Sequence, residues 1–400
     1  MLIEKRKLVL LALYLLPFVH SIVLSTIWES ALADVIQTVV KGAYTFGLIL
    51  VGLACVTKSA LDALISARAL FLYSVFSLVS IVWSVDIART SMAALAFISL
   101  LALALISLRL PRVEVAKALL HSCDAIVVLS IAAYVIGLNG AVVHLQGVER
   151  LSGIAYGPHA LGRVVVLSIL LRTFLYYIGC RSSFLMSLAF MSMYAFVLYM
   201  ADSRQAYLVL FPALFAIWLM SSASVSKFKA TVLVIGVVVA SAPLVELPSM
   251  LSDKLAAFNR SEADDIASLT GRTFIWSKSI DLVSERPYLG YGLHGGGLML
   301  TQNYAAAVSG WTTESAHNLF LQTALDLGFV GVVLVVFVFI GGVRQSFIAR
   351  DGLALAFILF SLVLGVVERS IAGAPGFLNF IFFYGLLLVY SVCQKDDVSS

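Results

Sequence analysis

The chain has 400 residues, of which 61% are hydrophobic and only 12% charged, with a mean hydropathy of +1.03. A soluble domain of this size needs far more charge to cover its surface, so a soluble enzyme or binding module is excluded. The formal net charge of +4 reflects basic loops rather than a surface for nucleic acid.

Near-continuous apolar runs of about 17–22 residues recur along the chain, the length that crosses a hydrocarbon core. They are rich in Leu, Ala and Val and lack strict alternation, which predicts helices and makes strands unexpected. The expected fold is therefore an all-α, polytopic membrane bundle. Twelve spans are read, at about 8–27, 35–56, 68–85, 91–108, 119–138, 160–178, 184–200, 205–220, 230–247, 317–340, 353–367 and 374–392. The start, with Lys5-Arg6-Lys7, an apolar run and Ala31-Leu32-Ala33, mimics a signal peptide; its run is long enough that a retained anchor is favoured. Residues 1–247 hold nine spans, 248–316 form a large outer loop, and 317–400 hold three spans and a tail.

Basic residues in the short loops set the orientation. With the N-terminus inside, the cytoplasmic side collects Lys5, Arg6, Lys7, Lys58, Arg68, Arg109, Arg112, Lys117, Arg181, Lys227, Lys229, Arg344, Arg350 and Lys395, fourteen of the 26 Lys and Arg. The opposite short loops hold only Arg89, Arg150, Arg204 and Arg369. Each of these alone could be a surface arginine reaching for headgroups. Four on one face of so uncharged a chain point to an anion site, because guanidinium forks bind phosphate oxygens bidentately.

Two helices are predicted in the large loop: a short one around Met250–Phe258, and one from near Thr270 that stops before Pro287. Gly290, Gly292, Gly295, Gly296 and Gly297 then read as a flexible turn that lets backbone approach a ligand. Cys55, Cys123, Cys180 and Cys393 fit neither a disulfide framework nor a zinc spacing, and the histidines form no metal-ligand pairs. No metal or other cofactor is expected.

His317 opens the tenth span in TESAHNLFLQTALDLGFVG, Thr313 to Gly331. At about 100° per residue, Ala324, Gly328 and Gly331 lie on its side of a helix and would admit a neighbouring helix closely. The ring then serves either as a cap or interface residue or as a proton acceptor.

These residues resemble a known family. His317-Asn318, followed after nine residues by Gly328-Phe329-Val330-Gly331, resembles the His-Asn signature of the O-antigen ligase and polymerase superfamily. WSVD (Trp83–Asp86), RLSGIAYGPHALGR (Arg150–Arg163), DSRQA (Asp202–Ala206), TGRTFIW (Thr270–Trp276) and ERPYLGYG (Glu285–Gly292) are similar to further family motifs in the family's order, across about 80–335. His159 departs from the asparagine that many relatives carry there.

The resemblance implies a GT-C-like bundle with a large periplasmic loop, in the bacterial inner membrane with both termini cytoplasmic. It implies a metal-independent glycosyltransferase whose donor is a glycan on undecaprenyl diphosphate and whose acceptor is a glycan or the lipid A core. Membrane lipid, a chain-length regulator and a flippase are the other partners. His317 matches the family's essential histidine and Arg204 a diphosphate-binding arginine, with Arg150 and Arg272 as weaker matches; Arg89, Arg286, Glu368, Arg369 and Asn318 are secondary candidates. TGRTFIW favours a polymerase over a ligase. A transporter, the reading from another class, would place charged or broken helices at mid-membrane and show an internal repeat.

Overall fold

The computed structural model describes residues 2–24, 31–145, 148–180, 183–220, 269–305, 312–372 and 375–398. The predicted ninth span and the predicted helix around Met250–Phe258 lie outside them. In chain order the helices are α1 (Leu2–Ser21), α2 (Ala31–Cys55), α3 (Lys58–Ser66), α4 (Arg68–Val79), α5 (Ile87–Ser107), α6 (Arg112–Val135), α7 (Pro158–Tyr177), α8 (Phe184–Ala201), α9 (Arg204–Met220), α10 (Leu269–Glu285), α11 (Gly295–Asn303), α12 (Leu319–Ala349), α13 (Gly352–Val367) and α14 (Phe377–Val398).

Among the described residues, six helices are long and apolar enough to cross a membrane, namely α2, α5, α6, α7, α8 and α12; α9, α13 and α14 are shorter apolar helices. The chain is an all-α polytopic membrane protein. The predicted third span, 68–85, falls on the segment Arg68–Trp83, and a short helix not read from the sequence, α3, precedes it and meets it at 95° across Ala67. One correction is the antiparallel hairpin β1 (Val142–Leu145) and β2 (Val148–Leu151), in which Val143 faces Arg150. It lies in a loop, where β-branched residues need not satisfy a helical span.

α13 is the hub. It packs against α7, α9, α12 and α14, and Leu353 to Ile358, Phe360 and Leu364 on it are buried. Glycines set the spacing, because lipid supplies no hydrophobic drive between helices and close packing must substitute. A Cβ on Gly365 would come within 2.8 Å of Leu319, one on Gly385 within 2.9 Å of Phe357, and one on Gly342 within 2.4 Å of Leu386.

The small-residue stripe expected beneath His317 is not the device used. α12 breaks at Gly328, whose φ of 64° and ψ of −166° end the helical geometry. The break frees the Phe329 N–H, which donates to Pro287 O at 2.7 Å. A Cβ on Gly328 would lie 2.2 Å from the carbonyl of Tyr288. Backbone, not a neighbouring spanning helix, occupies that space.

Candidate functional site at one mouth of the bundle

His317 sits outside α12. It adopts a left-handed backbone conformation at φ 48°, and Asn318 caps the helix by accepting from Leu321 N at 3.0 Å. The segment is latched on several sides. Trp276 of α10 donates to Ala316 O at 2.8 Å, Gln322 accepts from Ala316 N at 2.9 Å, and Ser315 Oγ accepts from His317 N at 3.1 Å. Left-handed backbone at a non-glycine residue costs about 1–3 kcal/mol and persists only where surroundings over-determine it. Of the non-glycine residues with positive φ among those described, Asp202, His294, His317 and Ser370 lie at this mouth and only Arg350 at the other end.

The imidazole Nδ1 lies 3.0 Å from Glu368 Oε1. Glu368 follows α13 and gathers two more residues: Gln205 Nε2 donates to Oε1 at 3.2 Å, and Arg272 Nη2 lies 3.8 Å away while its Nη1 donates to the neighbouring Val367 O at 2.7 Å. Burial alone would raise this carboxyl, but the His317 hydrogen bond and the charges of His317, Arg163 and Arg272 outweigh it and pull it down to about 2. Glu368 is thus held ionised beside the ring. Asn318 Nδ2 donates to Val366 O at 3.1 Å, tying the top of α12 to the end of α13.

Arg204, at the first position of α9, is exposed. Its neighbour Gln205 reaches Glu368, so Arg204 stands at the rim of this cluster. Arg150 is buried, and its guanidinium donates to Ala201 O at 3.0 Å and Asp202 O at 2.5 Å. It braces the turn that presents Arg204. His159 resolves the departure noted in its motif: Nδ1 lies 3.1 Å from Ser203 Oγ on that same turn.

The glycine-rich segment is a docked platform rather than a flexible turn. Tyr291 N donates to Leu325 O at 2.9 Å and Gly292 N to Asp326 O at 2.8 Å. WSVD holds its other side: Trp83 Nε1 donates to Leu289 O at 2.8 Å, and Val85 N to Tyr291 O at 3.1 Å. Gly295, Gly296 and Gly297 open α11 instead of forming a loop, because the helix lies against α12 so tightly that a Cβ on Gly296 would meet Leu325 at 2.6 Å. Here glycine serves close approach of backbone to backbone.

Arg89, at the start of α5, pairs with Glu314 at 2.7 Å and donates from Nε to His294 O at 3.2 Å. Arg369, next to Glu368, has a buried Nη1 without a partner among the described residues. Arg286 is not drawn in; it lies over the Tyr291 ring at 5.1 Å. Sequence reasoning missed Gln205, Arg163, His294 and Glu314. Gln205, Arg163 and Glu314 lie inside stretches already singled out, whereas nothing in the linear pattern distinguishes His294. Among the described residues no group of three or more His, Cys, Asp or Glu could hold a metal ion.

Residues 186–336 match the O-antigen ligase family. That stretch of O-antigen ligase type runs from α8 into α12, and it contains Arg204, Gln205, Arg272 and His317; Glu368 comes later in the chain. It supports the superfamily whose motifs the chain resembles, and with it a lipid-linked glycan transferase of the ligase or polymerase type. No curated protein matches the chain. Among solved structures, one described as "Structural coordination of polymerization and crosslinking by a peptidoglycan synthase complex" aligns at a TM-score of 0.42 and 16% identity, covering 84% of this chain and 97% of that one. So distant a likeness says nothing of what this chain does.

Proposed function

We propose that the chain is a glycosyltransferase of the bacterial inner membrane, working at the periplasmic face with both termini in the cytoplasm. It transfers a glycan from undecaprenyl diphosphate to a sugar hydroxyl and so extends a surface polysaccharide. The observation that carries this reading is the His317–Glu368 pair, set beside Arg272 and Arg204 at one mouth.

The chemistry follows from the pair. When the ring is neutral, Nδ1–H donates to the ionised Glu368 and Nε2 is left as an acceptor. The acceptor hydroxyl gives its proton to Nε2 while its oxygen bonds the anomeric carbon. The bond from that carbon to the diphosphate oxygen breaks, and the diphosphate leaves with the electron pair. General-base help of this kind is worth roughly 10²–10⁴ in rate. Arg204 and the free edge of Arg272 neutralise the leaving group, each good donor being worth about 3–4 kcal/mol. Glu368 stabilises the imidazolium and does not itself accept the proton.

TGRTFIW favours the polymerase, which joins repeat units on the lipid carrier, while the family match by description favours a ligase that delivers the chain to lipid A core. Deleting the gene and resolving surface glycan on gels separates them: single repeats on core mark a polymerase, and long chains stranded on the carrier mark a ligase. Complementation with His317→Ala at wild-type protein level tests the shared chemistry. Full restoration of glycan would remove the base assignment.

A further inference from the structure

Of the aspartates, Asp124, Asp326 and Asp351 are buried. Asp124 pairs with Arg172 at 2.5 Å and Asp351 with Arg112 at 2.5 Å, but Asp326 forms no ion pair among the described residues. It lies within α12, is 1% exposed, and its Oδ2 has no partner among the described residues. A carboxyl group so enclosed is costly to keep, and the transfer chemistry above makes no use of it.

What Asp326 does occupy is the joint between two segments. Its Oδ1 accepts from Gly296 N at 3.0 Å, at the start of α11 on the platform, and from Gln322 Nε2 at 3.4 Å, one turn back along α12. Gln322 is fully buried, and its Oε1 accepts from Ala316 N at 2.9 Å. A primary amide can turn either its nitrogen or its oxygen to a given neighbour. Facing a group that only accepts, it must turn the nitrogen, which leaves the oxygen for Ala316. The next residue is His317, whose φ of 48° is a conformation that a side-chain-bearing residue rarely takes unaided.

We infer that Asp326 is a positioning residue. By accepting from Gln322 it decides which end of that amide meets Ala316, and so holds the left-handed turn that aims the His317 ring, while the same oxygen grips the platform. The inference rests on the glycan-transfer reading above and adds to it a residue that lies behind the base rather than against the reacting groups.

Full-length protein in detergent is assayed with lipid-linked glycan extracted from cells lacking the gene, and turnover is counted per folded molecule. Asp326→Leu should lower kcat by about 10²-fold with KM and the midpoint of the rate–pH profile unchanged, since a misplacement of about 1 Å at the reacting groups is enough for such a loss. Asp326→Asn should stay within about threefold of wild type, because Gly296 N–H still selects the amide oxygen and that oxygen still accepts from Gln322. Gln322→Met, of similar length and without either polar group, should reproduce the loss, and it carries the test if Asp326→Leu does not fold.

Asp326→Leu at wild-type kcat per folded molecule, even with less protein folded, overturns the inference and leaves Asp326 a packing residue. A raised KM at unchanged kcat overturns it too, as does an Asp326→Asn variant as slow as Asp326→Leu, which would make charge rather than hydrogen bonding the active feature. If His317→Ala transfers glycan at the wild-type rate, the base assignment fails and this inference with it. If His317→Ala is inactive while Asp326→Leu and Gln322→Met are as fast as wild type, only this inference fails.

Discussion

The Nδ1 of His317 meets Oε1 of Glu368 at 3.0 Å across 51 residues of chain. The contact joins the residue before the cap of α12 to the residue just past α13, and neither residue is free to leave. Asn318 and Gln322 hold one side, while Gln205 and Arg272 hold the other.

A Glu368→Gln variant tests what that contact does. An amide can still accept from Nδ1 but no longer stabilises an imidazolium. The expected result is a kcat lower by about 10² or more with little change in KM, since the loss is felt only as the ring gains its proton. The rate–pH profile should move as a whole rather than change slope, because one group still takes up the proton but has lost its charged partner. Equal loss of expression and activity, with an unchanged pH profile, would reduce Glu368 to a packing role.

Acid should loosen the mouth in two stages. Burial, reinforced by Arg89 and Arg369, holds His294 down at about 4 against an ordinary 6.5. Between those values the unfolded chain binds more protons than the folded one, so stability falls as pH drops from about 6.5 towards 4. Glu368, held at about 2 against 4.5, contributes stability that is complete above 4.5 and lost as pH falls towards 2. Thermal melts of detergent-solubilised protein should show His294→Gln removing the first decline and Glu368→Gln the second. Identical curves for all three proteins would contradict both assignments.

Much of this architecture is legible in the residues alone, because lipid forces backbone groups to be satisfied inside apolar helices. Within the described residues the predicted spans fall on helix over most of their length, though only six of those helices are long and apolar enough to cross a membrane. The ninth span and the end of the first lie outside those residues. His317, Arg272 and Glu368 were all candidates, and they meet. Hydropathy is blind to close approach, however. Gly328 sits in a run that reads as one greasy helix, yet its φ of 64° breaks it. The three glycines that look like a loose turn begin α11, since only the contact with α12 explains them. Gln205 could not be read as a site residue, because its partner comes 163 positions later.

Arg150 and Arg204 should separate cleanly although both belong to the outward arginines. Replacing Arg150 with Ala leaves Ala201 O without its side-chain donor in a buried setting and Asp202 O in a half-buried one, and should destabilise the protein by about 1–3 kcal/mol. Arg204 is exposed, so Arg204→Ala should melt like wild type yet transfer glycan about 10²-fold more slowly. Melting temperature and turnover, measured on the same preparations, decide the matter. A stable Arg150→Ala protein with the Arg204→Ala defect would return Arg150 to the phosphate itself.

The break at Gly328 makes the strongest structural prediction. An alanine there must adopt a positive φ and place its Cβ 2.2 Å from Tyr288 backbone, which cannot move without undocking the segment that positions His294 and Arg89. Strain and lost docking together should exceed about 3 kcal/mol. Gly47→Ala on α2 is the matched control, because nothing lies within 4 Å of its Cβ, and it should change stability by about 0.5 kcal/mol or less. If the two variants melt together, the glycine is a spacer in a continuous helix. If only Gly328→Ala fails, the residue that looks most like a helix-packing glycine is the hinge on which the platform is seated.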